Sequence, residues 1–179
     1  MSRFEETITV DVPVRAAYDR WTQFEDFPTF MEGVKRVRQL DDKHLRWTAS
    51  VAGVEKEWVA EITDQTPDTR VAWKSIEGAE NAGAVLFRPK GPGTTEVILR
   101  IDAEPDGPVE TAGDALGFLR RRVKGDLERF KEQVEKLGTG GDGWRGEIHG
   151  DEVNDDPDNR RPSGTMSVPV SSRRGDDAS

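Results

Sequence analysis

The chain has no cysteine, which removes disulfides, thiolate metal sites and cysteine nucleophiles at once. Histidine is nearly as scarce. His44 lies in an Asp-rich turn and His149 near the C-terminus, and neither is placed as a catalytic base would be. Positive charge is also short: 26 Lys and Arg against 35 Asp and Glu leave a formal charge of -9. That balance argues against nucleic acid as a partner, because phosphate backbones are bound by clustered Lys and Arg. It equally disfavours electrostatic attachment to anionic membranes. No apolar run has the length of a signal-peptide core or a membrane-spanning helix, beginning with "MSRFEETITV". The expectation is a cytoplasmic protein without integral membrane association. Paired histidines and EF-hand spacing are both missing, so no metal is expected. "GPG" at Gly91 to Gly93 reads as a hairpin turn, and no cofactor is implied.

What is present divides at Leu137. From Gly138 onward Gly, Asp, Ser, Pro and Arg dominate, with nine acidic residues against five arginines and too few apolar residues to bury a core. The reading is one domain over residues 1–137 and a disordered acidic tail over 138–179. Within the tail, Trp144 in "GWRGEI" is the one aromatic and a candidate contact for a protein partner.

Residues 1–137 alternate legibly. "FEETITVDV" sets Phe4, Ile8 and Val10 on one side of a strand, with Glu6 interrupting. Pro13 takes a helix-opening position, and Val14, Ala17, Tyr18 and Trp21 follow at helical spacing. "WTQFEDFPTFMEGV" then crowds aromatics around Pro28, predicting a second short helix after that proline. Five strand-like runs follow, separated by turn signals. Their inward sets include Leu45 and Trp47, Trp58 and Ile62, Val71 and Trp73, Val85 and Phe87, and Val97 and Leu99. Such alternation means one wet face and one covered face.

The cover is the segment from Pro108 to Leu137. Leu116, Leu119, Val123, Leu127, Phe130, Val134 and Leu137 recur every three or four positions in a single stripe. Thirty helical residues span about 45 Å, so this helix must lie across the sheet. The architecture is α+β: a curved antiparallel sheet of six to seven strands around a long C-terminal helix, with two short helices between the first and second strands.

With "VDVPVRAAYDRWTQFEDFPTFMEGVKRVRQLDD", "EWVAEITDQTPDTRVAWKS", "NAGAVLF" and "GDALGFLRRRVKGDLERFKEQVE", residues 2–137 resemble the START/Bet v 1-like helix-grip superfamily, SRPBCC. The resemblance is closest to the polyketide cyclase/dehydrase and coenzyme Q-binding START-like branch. It implies a deep apolar cavity between the sheet and the C-terminal helix, in proteins that range from aromatase/cyclases to lipid and quinone carriers.

The candidate lining is Trp21, Phe27, Phe30, Met31, Trp47, Trp58, Trp73, Ser75, Asn81, Phe87, Leu116, Leu119 and Val123. The same aromatics also suit a packed core, and sequence leaves both readings open. Among polar candidates, Glu6 reads as a strand-end charge, Lys56 shares parity with Trp58, and Arg120 or Arg121 stands near the helix stripe. Catalytic residues are not identifiable. The leading function is binding of a hydrophobic small molecule of polyketide, isoprenoid, quinone or lipid type. The alternatives are a polyketide cyclase or dehydratase using the same cavity, and a scaffold acting through its tail.

Overall fold

The computed structural model describes residues 2–51, 53–103, 109–137 and 146–154. Trp144 lies outside them, as does the side chain of Leu116. Strand β1 (Ser2–Val10) leads through Pro13 into α1 (Val14–Trp21), which buries Ala16, Ala17, Tyr18 and Trp21. Thr22 ends the helix, its backbone N–H and its hydroxyl both donating to the Tyr18 carbonyl, at 3.0 and 3.1 Å.

A 3-10 helix follows at Phe24–Thr29, with Pro28 inside it. The second short helix thus starts four residues before the proline and not after it. The break between the two helices falls at Thr22 and Gln23. Packing of Phe24 and Phe27 into the core fixes the turn, and it overrides the preference of the residue before proline for an extended backbone.

Six strands follow: β2 (Val34–Gln39), β3 (His44–Val51), β4 (Val54–Thr66), β5 (Arg70–Gly78), β6 (Asn81–Gly91) and β7 (Thr94–Ala103). With β1 they form one antiparallel sheet in the order β1-β7-β6-β5-β4-β3-β2, curved and unclosed. Register shifts at Val59/Ala60 and Ile62/Asp64 mark irregularities in β4, the longest strand; bulges of this kind bend a strand and increase its twist. The long helix α2 (Val109–Leu137) lies against the sheet and buries Val123, Leu127, Phe130 and Val134. Its stripe stops there, since Leu137 is 55% exposed. This is the helix-grip arrangement.

The expectation that all residues beyond Leu137 lack structure fails at residues 146–154. Strands β8 (Glu147–His149) and β9 (Glu152–Asn154) form a hairpin, and β8 pairs antiparallel with Asp64 and Gln65 of β4. There β4 runs past the end of β3, whose pairing stops at Glu61. An unpaired strand edge is a template for other chains, and this hairpin covers it. Ile148 is fully buried in the main core. Among the described residues, no helix is long and apolar enough to cross a membrane.

Candidate functional site

The curled sheet and α2 do not close completely on each other. Between them is a cavity of about 660 Å³. Its buried end is walled by Trp21, Phe24, Phe27, Leu45, Ile62 and Leu99. Its open end is rimmed by Glu32, Val54 and Glu80, all exposed. The aromatic corner therefore seals one end. Trp21 packs edge-on against Phe27 and Phe130, at 5.4 and 5.2 Å between ring centres, and Phe27 meets Phe30 at 5.4 Å.

All three strand tryptophans line the cavity, with Trp73 opposite Ile62 of β4, four residues along from Trp58. Trp47 and Trp58 are opposite each other in the β3–β4 register. Their rings stack at 5.6 Å and 8° from parallel, giving a flat aromatic wall. Trp73 on β5 also lines the cavity, and its indole N–H donates to Asn81 Oδ1 at 3.3 Å.

Of the sequence candidates, Trp21, Phe27, Met31, Trp47, Trp58, Trp73, Asn81, Leu119 and Val123 all lie on this cavity. Phe30, Phe87 and Ser75 do not. Phe30 is drawn into the aromatic corner by Trp21, Phe27 and Phe130. Phe87 packs edge-on against Tyr18 beneath α1. The Ser75 hydroxyl accepts the Asn81 backbone N–H at 3.0 Å, a strand-end role. Glu6 pairs with Arg120 at 3.0 Å away from the cavity, whereas Lys56 is on its wall.

Two charged residues of α2 that were not among the candidates complete the wall: Arg122 and Asp126. The helical period itself was the available signal. Asp126 falls between Val123, Leu127 and Phe130, where the buried stripe would carry an apolar residue. Its carboxylate Oδ1 accepts the backbone N–H of Glu32 at 3.0 Å and a hydrogen bond from Arg129 Nη2. Arg129 Nε in turn donates to the Phe30 carbonyl at 2.8 Å, and Arg122 Nη1 to the Glu32 carbonyl at 2.7 Å. Three side chains of the helix thus hold the backbone of residues 30–32 and fix the cavity's rim.

Gly33 is required beside them. Its φ is +89°, and a Cβ there would lie 1.9 Å from Arg122 Nη1 and 2.8 Å from the Ser50 carbonyl. Burial pushes the Asp126 carboxyl up to about 6, while Arg129, the Glu32 N–H and Arg122 pull it back. A carboxyl poised near neutrality on an apolar wall can give or accept a proton. Among the described residues, no group of His, Asp and Glu is arranged to hold a metal ion.

Comparison with known proteins fits this geometry. Residues 10–132 match the family model described as polyketide cyclase / dehydrase and lipid transport. An uncharacterized 17.2 kDa protein of Streptomyces lincolnensis is 52% identical over 149 residues, which span 83% of this chain and 99% of that one. A START superfamily protein from Mycobacterium smegmatis has a TM-score of 0.64 at 14% identity, over 75% of this chain and 98% of its own. The Zhui aromatase/cyclase from Streptomyces sp. R1128 has a TM-score of 0.62 at 16% identity, over 75% of this chain and 94% of its own. At such identities the last two likenesses show a shared fold. The family-model match spans most of the helix-grip domain, and the chain belongs to the polyketide cyclase / dehydrase and lipid transport family.

Proposed function

We propose that this protein binds a hydrophobic small molecule, of polyketide, quinone, isoprenoid or lipid-like type, in the cavity between sheet and α2. The observation that carries the reading is the cavity itself. Its volume of about 660 Å³ falls within the range of about 300–1,000 Å³ typical of ligand sites. Its buried end is apolar, and its charged groups gather toward the rim and α2. A ligand therefore enters apolar end first, lies against the Trp47–Trp58 stack and leaves a polar end near Asp126 and Arg122. A thermal-shift panel of quinones, fatty acids and aromatic polyketides tests this. A true ligand at a hundredfold excess over its Kd adds about 2.7 kcal/mol to stability. No shift with any member contradicts the reading. Trp58→Ala removes half of the stack and weakens a fused-ring ligand by up to about tenfold.

One observation favours a second reading, a cyclase or dehydratase. Asp126 holds a carboxyl near pH 6 on the wall, with Arg122 beside it. Folding a flexible polyketone chain would supply proximity. Asp126 would take a proton from a methylene carbon and return it to a carbonyl oxygen as the ring bond forms. Under this reading Asp126→Asn abolishes turnover but leaves binding in place; under the carrier reading there is no turnover to lose.

A further inference from the structure

Trp73 lies on the concave face where β5, β6 and β7 run side by side, in the row Trp73–Gly83–Ile101. The middle position has no side chain. A Cβ built on Gly83 would lie 2.5 Å from Cζ2 and 2.8 Å from Cη2 of Trp73. The indole thus reaches sideways across β6, its benzo edge in the space a side chain would take, and does not stand up into the cavity. The same edge of the ring is also held by a hydrogen bond to β6. The ring N–H is held by Asn81 Oδ1, and Asn81 Nδ2 donates to the Ala79 carbonyl at 3.1 Å. In the next row, Val71–Val85–Leu99, every position carries a side chain and no ring crosses a strand.

We infer that Gly83 sets the largest ligand this cavity accepts, by giving Trp73 room to lie across β6; the inference rests on the cavity being a binding site. Any side chain at position 83 lifts the indole off the sheet and into the ligand's space. Removing the indole has the opposite effect and opens the cavity toward β6. Trp73 and Gly83 then act as one size filter, and the Trp47–Trp58 wall is untouched by either change.

The test uses the full chain and three neutral fluorescent probes of increasing width, naphthol, anthrol and pyrenol, titrated into wild type, Gly83→Ala and Trp73→Ala. The readout is the ratio of pyrenol to naphthol affinity, which a general loss of stability would not move selectively. Trp73→Ala is expected to raise that ratio about tenfold or more, and Gly83→Ala to lower it by a similar factor, as steric fit in apolar pockets commonly does. The added methyl would also lie 2.6 Å from the Arg100 carbonyl. If Gly83→Ala does not fold, Trp73→Ala decides the matter. Ratios within about twofold of wild type, with the probes still bound, overturn the size filter alone. Failure of all three probes to bind wild type overturns the filter, and a failure of the quinone, fatty-acid and polyketide panel as well overturns the binding reading with it.

Discussion

Asp126 shows how one residue couples stability to the proposed site. It is buried, it receives hydrogen bonds from Arg129 and the Glu32 backbone, and its carboxyl sits at about 6. Desolvation outweighs its partners, so the folded chain holds this proton more tightly than the unfolded chain does. The linkage has a definite sign. Stability from this group is highest below the ordinary carboxylate range, falls as pH rises from about 4 to about 6, and stays lower above that. Asp126→Asn mimics the protonated form and removes the dependence. Relative to wild type, the variant is expected to gain roughly 2 kcal/mol between pH 4 and pH 7 in urea titrations. A constant difference across that range would mean that the carboxyl is not desolvated in solution. Sequence alone did not reveal Asp126, because a charge in a helix is by default assigned to the wet side. The 3.6-residue period, followed strictly, would have placed it among Val123, Leu127 and Phe130.

Among the elements, alternation made most strands readable, and the two least legible ones fail it for physical reasons. Strand β2, "VKRVRQ", buries only Val37, and a register shift between Val34 and Arg36 breaks its period. The β8–β9 hairpin places one fully buried side chain, Ile148, in two three-residue strands. Neither carries a local signal, since tertiary pairing with β3 and β4 stabilises them. The hairpin makes a checkable contribution. Ile148→Ala should cost about 2–4 kcal/mol, a drop of several degrees in Tm. Deleting residues 138–179 should cost at least as much and expose the end of β4 to self-association, visible by light scattering. A deletion with unchanged Tm would show that the hairpin does not hold the sheet edge in solution. The tryptophan wall, by contrast, was readable because Trp47, Trp58 and Trp73 keep strand parity on neighbouring strands. Phe87 shares that parity on β6, and Phe30 belongs to the aromatic stretch around Pro28, yet neither lies on the cavity. Nothing local distinguishes a ring that faces a hollow from one that faces another ring.

At the scale of the whole fold, the curled sheet and α2 leave a space between them that aromatic side chains line and do not fill. Tight packing is the normal state of a protein interior, and a cavity of this volume forfeits contacts that filling side chains would supply. Side chains of α2 hold its rim in place through the backbone of Phe30 and Glu32. The central claim is that this space exists for a hydrophobic ligand. Native mass spectrometry of the protein purified from its own host, followed by organic extraction, tests it most directly. A hydrophobic molecule at one per chain, polycyclic, isoprenoid or lipid-like, is the result predicted here. A bare polypeptide mass, with the same Tm before and after exposure to host lipid and quinone extracts, would contradict it.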